Sequence, residues 1–207
     1  FFQAEDGIRY PEMSRGLGDV YKRQLMPQRS LHKAVFFNRD GTIIYNGKQH
    51  YIYRTEDVVL NEGVVEGLRQ LQQAGYLLFI VTNQGGIAKG IYTHEDVKKV
   101  HDYLRHSLTE KGITITEIYY CPHHESIKTC VCRKPSPYMI HLAVEDFQID
   151  RNASYLIGNN LRDIKAAEAA GIKSIKIHKN QSILPAVNKI IGPPRKRINM
   201  NLDESEF

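Results

Sequence analysis

The sequence predicts an α/β protein built on a doubly wound parallel sheet, and three observations carry that expectation. Short apolar runs of strand length alternate with amphipathic stretches of helical period, the pattern of a parallel sheet covered by helices on both faces. Helical stretches stop at or near Gly75, Gly112 and Gly171, and glycine is the residue that most easily adopts a left-handed C-cap. The residues best suited to chemistry fall just after the apolar runs, and ligands in such sheets bind at the carboxyl ends of the strands.

Taken in order, Ala34-Val35-Phe36-Phe37 is the first run and ends in a polar turn. A helix is expected over residues 64–74. The second strand is expected over residues 76–81, ending at Thr82-Asn83-Gln84. Thr93 or His94 opens an amphipathic helix with Val97, Val100, His101, Leu104 and Leu108 on one face. A third strand over residues 115–120, a helix over 138–147 and a fourth strand over 154–158 follow. Asn160-Leu161 opens the next helix, and residues 172–177 form the last strand. Small insertions complete the picture. Residues 45–54, with Tyr45, Tyr51 and Tyr53, are either a flap or a solvated hairpin. The glycine-rich stretch from Gln84 to Gly90, which contains Lys89, is either a substrate loop or a flexible connector.

A length of 207 residues suits one domain, expected over residues 26–192. Residues 1–25 carry no periodicity, are broken by Gly7, Pro11, Gly16 and Gly18, and resemble the translation of a sequencing adaptor. They are expected to be non-native or disordered, with a native start at Met26. Residues 193–207 are polar, with Arg195-Lys196-Arg197 offset by Asp203, Glu204 and Glu206, and are expected to form a mobile tail.

An apolar fraction of 42% and a charged fraction of 25% exclude a disordered chain, a collagen-like repeat and a coiled coil. No run reaches the roughly 18 apolar residues of a membrane span, and the N-terminus lacks the pattern of a secretory leader. A cytoplasmic monomer without a membrane partner is therefore expected. The net charge of +5 is scattered, so a nucleic-acid groove is not indicated and the charge suits an anionic small molecule.

Cys121-Pro122-His123 and Cys130-Val131-Cys132 place four soft or borderline ligands within twelve residues. Three cysteines cannot all pair as disulfides, and Cys₃His is a tetrahedral zinc set. The site would be closed and structural, holding Arg133 and Lys134 at the mouth. The alternatives are unliganded thiols beside a surface histidine, or His124 as the imidazole ligand in place of His123. Histidines outside this loop, His101 among them, show no ligand spacing and are read as structural.

Phe37-Asn38-Arg39-Asp40-Gly41-Thr42, Thr82-Asn83-Gln84, Cys132-Arg133-Lys134-Pro135 and Gly158-Asn159-Asn160-Leu161-Arg162-Asp163 occur in that order after successive strands. Together they resemble the haloacid dehalogenase superfamily, in the subgroup of heptose 1,7-bisphosphate 7-phosphatases and histidinol phosphatases. The resemblance implies a nucleophile at position 38, Asp40 as general acid and base, Thr82 with backbone amides holding the phosphoryl oxygens, and Lys134 offsetting the carboxylate and phosphate charges. It implies Asn83, Gln84, Arg133 and Lys134 around the substrate, and Mg²⁺ at Asn38, the main-chain carbonyl of Asp40, and Asn159. It also implies the structural Zn²⁺ at Cys121, His123, Cys130 and Cys132.

Two positions depart from the family pattern, because Asn38 and Asn159 stand where the family has aspartates. An amide is a poor nucleophile toward phosphorus, and Mg²⁺ prefers anionic oxygens. Lys134 is also left short of negative partners. Losing a covalent nucleophile lowers rates by roughly 10⁴–10⁶, about 5–8 kcal/mol. The expected function is a phosphatase scaffold for a small phosphorylated sugar, strongly impaired in turnover. The alternatives are a non-catalytic phosphoryl-ligand binding module and a histidinol-phosphate phosphatase.

Overall fold

The computed structural model describes residues 31–47 and 51–192, so the expectations for residues 1–25 and 193–207 lie outside the described residues. Five parallel strands, β1 (Ala34–Phe37), β2 (Leu77–Asn83), β3 (Glu117–Cys121), β4 (Tyr155–Gly158) and β5 (Lys173–Lys176), form one sheet in the order β3-β2-β1-β4-β5. The helices are α1 (Val64–Gln73), α2 (His94–Thr109), α3 (Tyr138–Asp146), α4 (Leu161–Ala169) and α5 (Leu184–Ile191). The doubly wound expectation is met.

The period-2 alternation of side chains along the central strands sorts them into two cores. Val35 and Phe37 of β1, Leu78 and Ile80 of β2, and Ile157 of β4 pack with Leu68 of α1, Leu104 of α2 and Val187 of α5. Ala34 and Phe36, Phe79 and Val81, and Leu156 face the other way, onto Ile140 and Ala143 of α3 and Ala166 and Ala167 of α4. Every residue of β1 is fully buried, because the strand is central in the sheet and covered on both faces. Pairing of Phe37 with Ile80 on one side and Ile157 on the other brings the carboxyl-terminal parts of three strands side by side, with β2 running three residues further. The strand order reverses at β1, between β2 and β4, which is the switch point where open sheets leave a crevice.

Two expectations need adjustment. β3 begins at Glu117 rather than residue 115, because the Leu78 N–H donates to the Thr116 hydroxyl oxygen at 3.2 Å and a side chain takes the place of a main-chain acceptor. Helix α5 has no counterpart in the sequence expectations. Pro185 opens it, the position where a missing N–H does no harm, and Ala186 and Val187 seal the core beside Gly67 of α1. In the expected flap, the described residues 51–54 form no strand. Ile52 is buried, and the rings of Tyr51 and Tyr53 pack on Tyr92.

Arg39 fastens this segment to the sheet. It is fully buried, and its Nη2 donates to the Ile52 carbonyl at 2.7 Å and to Gln84 Oε1 at 3.1 Å. Its Nη1 lies 3.0 Å from His101 Nε2 on α2. Burial, and then the charges of Arg39 and Arg105, push the His101 pKa down to about 3. The imidazole is therefore neutral in the folded protein, and its Nε2 accepts a hydrogen bond from the Arg39 guanidinium.

The sign of the linkage follows. An unfolded histidine takes up its proton near pH 6.5, whereas the folded one resists until about pH 3, so stability is lost as pH falls below 6.5. Between pH 7 and pH 5 this group removes up to about 2 kcal/mol. Urea unfolding at both pH values should show that component in the parent protein and its absence in His101→Gln, which keeps an acceptor for Arg39. An equal pH slope in the two proteins contradicts the assignment.

Candidate active site

The carboxyl ends of β1, β2 and β4 and the loop after β3 open onto a cavity of about 390 Å³, lined among others by Asn38, Thr82, Asn83, Lys134 and Asn159. Five basic side chains against three carboxylates line it, a balance that favours an anion.

Lys134 lies at its base. The side chain is buried, and its ammonium group lies 2.7 Å from Asp163 Oδ1. It also donates to the Val81 carbonyl at 2.6 Å and to Asn38 Oδ1 at 3.1 Å. Three N–H donors meet three acceptors. Burial lowers the Lys134 pKa and the Asp163 carboxylate opposes that shift. The expectation that Lys134 lacks negative partners is thus corrected, because Asp163 supplies one. Asp163 can come so close because β4 ends in Gly158, where a Cβ would sit 2.5 Å from the Asp163 Cβ. Its other oxygen accepts the Asn160 N–H at 2.9 Å, capping α4.

Asn38 and Asn159 face each other across the switch point. Asn38 Nδ2 donates to Asn159 Oδ1 at 2.8 Å and to the Asp40 carbonyl at 2.9 Å. Asn159 Oδ1 also accepts from Thr42 Oγ1 at 3.3 Å and Asn160 Nδ2 at 3.2 Å. The Asp40 carboxylate is gripped by both arms of Arg39, at 2.7 and 3.0 Å. These residues do not fit a divalent cation. The oxygens that would ligate it already accept protein donors, and both nearby carboxylates are paired with buried cations. The expected Mg²⁺ positions are brought together, but with an amide nitrogen between them.

The expected substrate residues divide. Thr82 is buried at the cavity wall, and its hydroxyl accepts from Gln84 Nε2 at 2.9 Å, leaving its own proton to turn toward a ligand. Arg133 lines the cavity and donates to the His123 carbonyl at 2.9 Å. Gln84 lies below the cavity floor instead. It is buried, its Nε2 donates to Thr82 and to Asp40 Oδ2 at 3.2 Å, and its Oε1 accepts from Arg39 and from the Tyr92 hydroxyl at 2.8 Å. Asn83 clasps the main chain of Lys134, donating to its carbonyl and accepting from its N–H, both at 3.0 Å. Gln84 positions other residues from behind the wall, whereas Asn83 both lines the cavity and holds the main chain of Lys134. Arg39, which holds Asp40 and Gln84, was not singled out from sequence; a charged residue inside a buried turn was its only signal.

Beside the cavity, the ligand atoms of Cys121, His123, Cys130 and Cys132 all lie within 4.8 Å of one another. Cys121 Sγ is 3.6 Å from Cys130 Sγ, and His123 Nδ1 is 3.3 Å from Cys132 Sγ. Ligands about 2.3 Å from a tetrahedral ion stand at such separations, so the four residues fit a metal ion. His124 is not among the residues whose ligand atoms converge, and its Nδ1 pairs with Ser126 Oγ at 2.8 Å.

A sequence profile of haloacid dehalogenase-like hydrolases matches residues 20–177. The D-glycero-beta-D-manno-heptose-1,7-bisphosphate 7-phosphatase of Haemophilus ducreyi is 42% identical over 148 residues, covering 69% of this chain and 80% of that protein. The D-glycero-alpha-D-manno-heptose-1,7-bisphosphate 7-phosphatase of Photorhabdus laumondii is 39% identical over 151 residues, or 70% of this chain and 81% of that one. A D,D-heptose 1,7-bisphosphate phosphatase of B. bronchiseptica, solved with magnesium and phosphate, is similar in fold, with a TM-score of 0.66 at 24% identity. The match covers 79% of this chain and 89% of that chain. Strand order, the gathering of ordered motifs at the switch point and the profile match agree: the chain belongs to the haloacid dehalogenase-like hydrolases.

Proposed function

We propose that this chain binds a small phosphorylated sugar of the heptose 1,7-bisphosphate type in a phosphatase site whose turnover Asn38 and Asn159 suppress. The basic cavity and the names of the sequence relatives support the substrate class. One observation carries the suppression: both ends of the Asn38 amide are engaged, Oδ1 by Lys134 and Nδ2 by Asp40 and Asn159. No nucleophilic oxygen is available at the end of β1. What remains is recognition. The Thr82 hydroxyl and the positive charges at the mouth orient a phosphoryl group, while the Asp40 carboxylate is held in place by Arg39.

The same amide network favours a second reading, a phosphoryl-ligand binding module without turnover. Phosphate release from heptose 1,7-bisphosphate of both anomers, and from histidinol phosphate, separates the two. The chain as it stands should release phosphate far below about 1 s⁻¹, an ordinary enzymatic rate. Asn38→Asp and Asn159→Asp should each recover little. The double change should recover far more than the product of the two, since groups acting as a unit are not additive. An ordinary rate in the parent chain contradicts the role given to Asn38. Silence of the double variant on every ester leaves the binding module as the function.

The Cys₃His cluster is proposed to hold one structural Zn²⁺, as its four protein ligands leave no open position. Elemental analysis should give one zinc per chain. Chelation should lower the thermal midpoint by several degrees and release three titratable thiols, because metal binding and folding are coupled. Zinc-free protein with the same midpoint overturns this assignment.

A further inference from the structure

We propose that the cavity binds a phosphate dianion without a divalent cation, the Asn38 amide N–H groups serving as the donors that hold the strand ends together. The inference rests on the reading of the cavity as a phosphoryl site and goes beyond it in naming what the site requires.

Asn38 Nδ2 has two hydrogens, and each points at an oxygen, the Asp40 carbonyl at 2.9 Å and Asn159 Oδ1 at 2.8 Å. The orientation of the amide is forced by its neighbours. Turned over, it would set Nδ2 against the Lys134 ammonium group and Oδ1 against two acceptors, so every contact would become repulsive. The two oxygens that converge on this nitrogen, the Asp40 carbonyl and Asn159 Oδ1, therefore already have their N–H donor, and Asn38 Oδ1 is turned away to Lys134.

Charge leads to the same place. Two asparagines in place of two aspartates remove two negative charges, the amount that one divalent cation would neutralise. The inner residues then balance as they stand, with Lys134 on Asp163 and Arg39 on Asp40. A cation entering would have to displace two N–H bonds and would find no unpaired carboxylate, whereas Mg²⁺ sites in proteins are usually built on one or two. An incoming dianion meets the outer basic side chains, Lys89, Arg133 and Arg162, which line the same cavity.

The test is calorimetric titration of the full chain with inorganic phosphate, in excess Mg²⁺ and in excess EDTA. The affinity should agree within about twofold between the two conditions, because a cation that does not bind the site has no coupling to phosphate. In Asn38→Asp/Asn159→Asp, the carboxylates repel phosphate until a cation joins them, and Mg²⁺ should raise the affinity by about tenfold or more. Phosphate binding by the parent chain only when Mg²⁺ is present overturns the inference and leaves the phosphoryl-site reading intact. No phosphate binding in either condition overturns both.

Discussion

A buried ammonium group organises this molecule. Lys134 cannot stay charged in the interior unless acceptors surround it, and the three it finds come from three separate parts of the chain: Val81 on β2, Asn38 after β1, and Asp163 in the first turn of α4. Those parts are contiguous only because β1 lies between β2 and β4 in a parallel sheet. The main chain carrying Lys134 is fixed from outside by two devices. Asn83 clasps its peptide groups, and the cysteine cluster that ends at Cys132 anchors the residues just before it. Sheet, metal-ligand cluster and cavity are therefore one mechanical unit.

Within that unit, the change at the reactive centre is one of polarity rather than of shape. An asparagine side chain occupies nearly the same volume as an aspartate, so neither core nor strand register needs to differ. What differs is that one arm of the side chain donates. This reversal turns a set of mutually repelling oxygens into a hydrogen-bonded fork from Asn38 to Asp40 and Asn159. A fork of this kind resists rearrangement, since each buried partner removed leaves another unsatisfied. On the proposed reading, the same substitution that suppresses turnover also adds local order.

The strands were legible in sequence because full burial on two faces leaves an unmistakable apolar run, as in Ala34–Phe37. Boundaries were less so wherever a side chain stood in for main chain, as Thr116 does at the start of β3. Helix α5 escaped notice because it is only eight residues long and its apolar face becomes meaningful only against α1. At the site, sequence located the residues but not what they do. Gln84 and Asn83 follow a strand like true ligand-binding residues, yet their partners are set by contacts with residues up to 51 positions away. The preference for His123 over His124, by contrast, was legible in the Cys-x-His spacing, and His123 is the one that joins the cysteines.

Gly158 shows how far such dependence reaches. It lies in a regular strand and has no left-handed backbone to accommodate, so conformational freedom does not explain it. Its missing side chain leaves the space in which Asp163 approaches the strand and meets Lys134. A single methyl group there would separate an ion pair without altering any charge. In a sequence comparison, position 158 should therefore tolerate change as poorly as an ionised residue does, although it carries neither charge nor side chain.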